Sequence, residues 1–93
     1  MAFTEAVEKE IRELEEEATF LGEQIQYLAG TIAGLERYAE PLRVNRLLSD
    51  SRYNDWRDVQ DAIDHLRTHK ERLKCRRIKI YGRIDLYEYE LSR

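Results

Sequence analysis

VEKEIRELEEEATFLGEQIQYLAGTIAGLERYAEPL, residues 7–42, repeats an apolar residue at alternating steps of four and three along its whole length. This is the a/d spacing of a heptad, which aligns one apolar stripe on a helix and is typical of a coiled-coil seam. The sequence therefore predicts a long helix over residues 4–40, with Thr4 as its N-cap and Pro41 as its end, since proline disfavours helix in the residue before it. The eleven positions of this first run are Val7, Ile11, Leu14, Ala18, Leu21, Ile25, Leu28, Ile32, Leu35, Ala39 and Leu42.

A second run of eleven positions has the same spacing and predicts a second helix over residues 54–92. Asn54 or Asp55 can cap the start of this helix, because their side chains accept hydrogen bonds from the first backbone N–H groups. Two positions of the run, Lys70 and Arg77, carry cations where apolar residues are expected. The second run consists of Trp56, Val59, Ile63, Leu66, Lys70, Leu73, Arg77, Ile80, Ile84, Tyr87 and Leu91.

The two runs have equal length, 36 residues each, or about 54 Å at 1.5 Å per residue. Equal helices joined by a short connection, residues 41–53, predict an antiparallel helical hairpin that forms one all-α domain over residues 1–93. Within the connection, residues 41–48 fit a short helix opened by proline, and the SDS sequence at 49–51 indicates a turn.

The last part of the chain has an alternative interpretation. Residues 76–91 alternate in polarity enough to resemble a hairpin of two strands, with a turn at Tyr81-Gly82. The helical interpretation keeps the heptad unbroken through Leu91, and Gly82 costs such a helix only about 1 kcal/mol. We therefore favour the helix.

Composition agrees with long, solvent-exposed helices. Of the 93 residues, 42% are hydrophobic and 38% charged, with only four glycines and one proline. No stretch approaches the 18 apolar residues of a membrane span, and MAFTEAVEKE, residues 1–10, lacks the basic start and apolar run of a signal peptide. One cysteine cannot form an internal disulfide, so we expect a cytoplasmic protein.

The stretch HLRTHKERLKCRRIK, residues 65–79, is strongly basic, although the chain has a formal net charge of −3. In an antiparallel hairpin with Val7 beside Leu91, this block faces residues 19–31, which contain a single acid. We therefore expect its charge not to be neutralised within the hairpin, and to face the acidic segment 5–17 of a second copy or an acidic partner protein. The charged-patch candidates are Arg67, Lys70, Arg72, Lys74, Arg76, Arg77 and Lys79.

The two cations of the heptad fit the seam itself. In the same pairing, Lys70 lies near Leu28 and Arg77 near Leu21, where the aliphatic stems can cover apolar surface while the charges reach water. Polar residues at such positions also fix the register of a coiled coil. The alternative for the basic stretch at 67–79 is nucleic-acid binding, against which stand the acidic net charge and the lack of a nucleic-acid motif.

Little in the sequence points to catalysis. Asp61, His65 and His69 are spaced by four and share a helix face, a spacing that metal ligands use. However, Leu66 stands where a metalloprotease helix carries its glutamate, and the neighbouring cations disfavour a metal ion. Cys75 lies at an outer position, and the chain contains no glycine-rich phosphate loop, GxSxG or CxxC sequence. We expect no catalytic residue, no metal and no cofactor.

Apolar residues outside the seam indicate a protein partner. Phe20 and Tyr27 lie at c positions of the first helix, and Ile78, Gly82, Leu86 and Tyr89 form a stripe on the outer side of the second, flanked by Tyr81. We expect a non-catalytic interaction module, such as an adaptor, regulator or inhibitor. It would self-associate as a homodimer with a four-helix bundle and bind a further protein. The interface candidates are Phe20, Tyr27, Ile78, Tyr81, Ile84, Leu86, Tyr89 and Leu91.

Overall fold

The computed structural model describes residues 2–45 and 50–93, and these form two long helices that pack against each other as a helical hairpin. Helix α1 spans Ala2–Asn45 and helix α2 spans Asp50–Ser92. The predicted all-α class is therefore confirmed. Residues 76–91 are helical throughout, and the described ranges contain no strand. Across those ranges, neither helix has a stretch apolar and long enough to cross a membrane.

The boundaries of α1 differ from those predicted. The helix starts at Ala2, so Thr4 lies inside it and not at its cap, and it continues through Pro41 to Asn45. Proline removes the N–H that would donate to the carbonyl of Arg37. Both residues are exposed, so water can solvate that carbonyl and the helix is not forced to stop.

A side-chain pair bridges this proline turn. Arg43 donates to the Glu40 carboxylate through Nε at 3.2 Å and through Nη2 at 2.7 Å. This hydrogen bond, together with the charge of Arg43, holds the pKa of Glu40 below its ordinary value. Because both side chains are exposed, the pair adds only slightly to stability.

Helix α2 begins at Asp50, four residues earlier than predicted. The expected turn at 49–51 is wrong for Asp50 and Ser51, and Asn54 and Asp55 lie inside the helix. The residue types that signal a turn are also those favoured at the start of a helix, because their side chains can satisfy backbone N–H groups there. The short helix predicted for 41–48 is part of α1 up to Asn45, and its remainder lies outside the described residues.

The chain divides into two compact units, of which the first combines the segment up to Ile25 with Arg72–Arg93. Its core is the predicted seam. Leu73, Tyr87 and Leu91 pack against the core and are partly buried. The buried side chains are Val7, Ile11, Leu14, Ala18 and Leu21 from α1, and Ile80 and Ile84 from α2.

The second unit is Gln26–Glu71. Ile32, Ala39 and Ile63 are buried together. Leu35, Val59 and Leu66 are partly buried around them. Every one of these residues occupies a heptad position. All 22 positions of the two runs are buried or partly buried, which confirms the predicted seam in each unit.

Ile63 is the most buried large side chain of the second unit, at 1% exposure. We expect Ile63→Ala to lower the free energy of unfolding by about 2–5 kcal/mol, because it removes packed methyl groups and leaves a cavity. Asp61→Ala, at an exposed position on the same helix, should change the free energy of unfolding by no more than about 0.5 kcal/mol. Urea denaturation followed by circular dichroism at one protein concentration measures both values. Equal effects of the two substitutions would contradict this assignment of the core.

Candidate protein interface on the second helix

An apolar surface lies on the side of α2 that faces away from the seam. Ile78, Gly82, Leu86 and Tyr89 fall within about 80° of arc at 100° per residue. We call these four residues the outer face of α2. Ile78, Leu86 and Tyr89 are 69%, 59% and 61% exposed. The whole outer face belongs to the first unit, and the sequence predicted its members.

Two other interface candidates of α2 lie elsewhere. Ile84 is buried in the core of the first unit, and Leu91 packs against that core. Both are heptad residues, and a side chain fully buried in the seam cannot also present itself to a partner. The interface assignment of Ile84 is therefore wrong, whereas Leu91 is only partly buried and its interface assignment stays a prediction.

The outer face has an open helix backbone at Gly82, and arginine side chains contact the tyrosine rings on it and beside it. A Cβ built on Gly82 would have no neighbouring atom within 4 Å, so the helix backbone is open to a close approach from outside. The guanidinium of Arg93 lies over the ring of Tyr89, 5.9 Å from its centroid. Arg77 lies over the ring of Tyr81, which flanks the outer face, at 5.3 Å. Such cation–π contacts orient exposed rings.

The other candidates are aromatic side chains of α1. In the first unit, Phe20 is exposed and lines a shallow surface hollow with Arg12, Glu15, Glu16, Thr19 and Glu23. In the second unit, Tyr27 is 76% exposed. The sequence analysis did not single out Phe3, Tyr38 and Tyr53, which are also exposed. Their signal was present, since each is an aromatic residue that does not occupy a heptad position.

In the first unit, the basic patch is partly neutralised by its own hairpin, contrary to expectation. Arg76 donates to Glu17 at 2.7 Å. Arg83, outside the predicted patch, lies 3.6 Å from Glu10. The pKa of Arg83 is raised mainly by the neighbouring Tyr87 hydroxyl, with smaller effects of the acids Glu10 and Glu17. The expectation failed because it considered only the acids directly opposite the patch, and an arginine side chain reaches a turn further.

The second unit holds the remaining part of the basic patch. Arg67 forms a hydrogen-bonded ion pair with Glu36. Lys70 is partly buried, as its heptad position predicts. In the first unit, Arg72, Lys74 and Lys79 are exposed. Arg67 and Arg76 of the patch are thus paired with acids of α1, each within its own unit.

Arg77 makes the most specific contact of the seam. Its Nε donates to the backbone carbonyl of Ala18 at 3.0 Å. A Cβ on Gly22 would lie 3.0 Å from the guanidinium carbon, so the missing side chain of Gly22 provides the space that Arg77 occupies. Arg77 thus contacts the turn of α1 that contains Leu21, the residue near which the sequence predicted it. The cation is held by a backbone hydrogen bond, which the sequence analysis did not foresee.

The residues considered for chemistry remain at the surface. Asp61, His65 and His69 are exposed on α2 of the second unit. Among the described residues, no three His, Cys, Asp or Glu side chains are grouped so as to hold a metal ion. The thiol of Cys75 is unbridged and exposed.

No protein-family model matches this chain, and no curated protein or solved structure shows significant similarity to it. Its function is therefore argued from the geometry and chemistry of its own residues.

The contact between Gly22 and Arg77 predicts a context-dependent effect of alanine. Gly30→Ala should raise the free energy of unfolding by about 0.5–1 kcal/mol, because alanine favours helix and its Cβ would meet open space. Gly22→Ala should give almost no net gain. The same helical preference is offset when Arg77 loses its bond to Ala18, worth about 0.5–1.5 kcal/mol.

The matched test uses Arg77→Ala as background. There, Gly22→Ala should recover the full gain seen for Gly30→Ala, because no guanidinium remains to be displaced. Urea denaturation is measured at one protein concentration for Gly22→Ala, Arg77→Ala, the double variant Gly22→Ala/Arg77→Ala and the reference variant Gly30→Ala, each compared with the wild type. A gain from Gly22→Ala equal to that from Gly30→Ala in the otherwise wild-type chain would contradict the packing described.

Proposed function

We propose that this protein is a non-catalytic protein–protein interaction module that self-associates through its helices as a homodimer. In the cytoplasm, it acts as an adaptor, regulator or inhibitor of a macromolecular partner. The observation that carries the proposal is the outer face of α2. There, three large side chains are more than half exposed on one side of one helix, and the hairpin has already buried its seam.

The energetic argument is the cost of leaving these groups in water. An isoleucine or leucine side chain contributes about 1.5–3 kcal/mol when it moves from water into a packed interface. Tyrosine adds a large contact area with one polar end, which is why it is enriched at interfaces. A grouped apolar face of this kind marks a binding surface, whereas single exposed residues do not.

The charges favour a protein partner over nucleic acid. In the first unit, Arg76 is paired with Glu17. In the second, Arg67 is paired with Glu36. Cations already bound to carboxylates have less to gain from phosphates, and the net charge of −3 repels a polyanion at longer range. Nucleic-acid binding through residues 67–79 is the alternative function, and it is an outcome of the test below.

We expect wild-type protein to show a dimeric mass in light scattering at tens of micromolar. The double variant Ile78→Ser/Leu86→Ser should be monomeric with unchanged helix content, because both side chains lie outside the seam. Loss of both groups should raise the dissociation constant at least about a hundredfold. Tyr38→Ser, which removes an equally exposed aromatic residue elsewhere, should leave the mass unchanged.

Two results would count against the proposal. One is a monomeric mass for the wild type across this concentration range. The other is binding of duplex DNA or RNA at physiological salt more tightly than about micromolar, abolished by Arg72→Glu/Lys79→Glu, which would establish the nucleic-acid alternative. A salt titration of fluorescence anisotropy measures the second.

A further inference from the structure

We propose that the outer face of α2 pairs antiparallel with the same face of a second copy, with Gly82 on the two-fold axis between them. This inference rests on the proposed self-association and specifies the partner and the geometry. It departs from the closed four-helix bundle expected from the sequence, because the outer face points away from the seam. When two first units pair in this way, their α2 segments would contact each other at the centre, and the α1 segment of each copy would lie on the outside.

The first argument is a mirror pattern of side chains around Gly82. In an antiparallel pair with its axis at Gly82, each residue lies level with the one equally distant on the other side of the glycine. Ile78 then lies level with Leu86 of the second copy, and Cys75 with Tyr89. Within the outer face, Ile78 thus meets Leu86 on both sides of the axis, and Tyr89 meets Cys75, an exposed residue outside the four that define the face. Any stripe spaced by three and four residues on a helix is symmetric about its middle residue, so what favours self-pairing is that the residues brought level with each other are uncharged.

The second argument is that the charges are antisymmetric about the same point. Residues 72–79 contain five cations and no acid, and residues 85–90 contain three acids and no cation. Arg76 and Arg77 are bound within the hairpin and Glu88 points away from the face, so the contact would use the others. Antiparallel pairing brings the basic half of each helix against the acidic half of the other. Parallel pairing would bring like charges together along the whole contact, which is destabilising.

Helical geometry places these charges on the two edges of the face. On one edge, Glu90 of the second copy comes level with the span between Arg72 and Lys79. On the other edge, Asp85 of the second copy comes alongside residues 74–79. All four named side chains are exposed. Glu90 also lies 3.6 Å from Arg93 of its own chain, and this exposed ion pair is weak enough to be replaced by one with the second copy.

The presence of a glycine at position 82, in the middle of the outer face, also favours close packing of a second helix. A glycine inside a helix costs about 1 kcal/mol relative to alanine, and nothing in the hairpin requires it, since a Cβ there would touch no other atom. Helices pack with their axes about 8–10 Å apart. A glycine at the crossing point allows the closest approach at the axis, so the second copy gives this residue a function.

Disulfide trapping tests the geometry directly. In a Cys75→Ser background, Gly82→Cys places a cysteine on the axis, where two copies of one residue come close enough for a disulfide. We expect rapid formation of a covalent dimer under mild oxidation. Glu88→Cys in the same background is the matched control, because this exposed position points away from the face, and it should remain uncrosslinked.

Native Cys75 distinguishes antiparallel from parallel pairing. The proposed geometry holds the two Cys75 residues about 21 Å apart, at 1.5 Å per residue, so wild-type protein should not crosslink. Tyr89→Cys in the chain that retains Cys75 should crosslink, because those two positions become level. Efficient crosslinking of wild-type protein through Cys75 would show parallel pairing and overturn the inference.

A charge exchange provides a test that needs no cysteine. Glu90→Lys and Arg72→Glu/Lys79→Glu should each weaken the dimer at least about tenfold, because each creates like-charge contacts on the edge they share. An equimolar mixture of these two variants should form a heterodimer, since opposite charges meet again. Sedimentation or light scattering of the mixture reads out the result, and circular dichroism confirms that each variant is folded.

Failure of this inference and failure of the proposed function give different results. A dimeric wild type in which Glu88→Cys crosslinks, Gly82→Cys does not, and the charge-exchanged variants do not recombine shows self-association through another surface. The proposed function would then stand without this geometry. A monomeric wild type would contradict both the proposed self-association and the proposed antiparallel geometry.

Discussion

Burial of one narrow apolar stripe on each helix is the constraint on which the rest of the structure depends. Strict alternation of steps of four and three aligns the a/d residues of each run in one stripe, and such a stripe can be buried only by another helix laid along it. Isolated helices gain little stability from propensity alone, so the contact with the partner helix is what holds each one. In both units, the buried residues are therefore the heptad residues, and the remaining apolar side chains are left outside.

Arg77 shows how a seam of this kind specifies one register. Its guanidinium needs a backbone carbonyl to accept its hydrogen bond and an open space beside the helix, which Ala18 and Gly22 provide. After a slip of one heptad, Ile11 or Ile25 would replace Ala18, and Glu15 or Ala29 would replace Gly22. None of these alternatives provides the same space. A cation in the seam costs stability relative to leucine, but it penalises every register except the one in which a glycine faces it.

The sequence predicted those features that repeat and missed those that depend on single contacts. The seam and the helical state of residues 76–91 followed from a period sustained over eleven positions. The exposure of the outer face was predicted because its residues lie outside the heptad positions. The ends of the helices were predicted less well. Pro41 is tolerated inside α1 because water can solvate the carbonyl of Arg37, which receives no N–H from proline. Aspartate and serine favour both turns and helix starts, so they did not distinguish the two.

The ion pairs were missed for a different physical reason. The Arg76–Glu17 pair joins residues that are not directly opposite, and only the flexible length of the side chains brings them together. A comparison of facing segments therefore underestimated neutralisation. Ile84 was assigned to both the seam and an interface, although a side chain that is fully buried in the seam has no surface left for a partner.

The charges of the first unit divide into two sets with different roles. Arg76 and Arg83 flank the seam and pair with Glu17 and Glu10 of their own chain. At the edges of the outer face, Arg72 and Lys79 lie before Gly82, and Asp85 and Glu90 lie after it. Within one helix, opposite charges stabilise each other at spacings of three or four, and such segregation of charge reduces the number of these pairs. In an antiparallel contact between identical helices, the same arrangement brings opposite charges together, whereas a parallel contact would bring like charges together. The difference in free energy between these two pairings makes the antiparallel one specific. The heptad thus determines how the chain folds, and the antisymmetry about Gly82 determines how we expect two copies to meet.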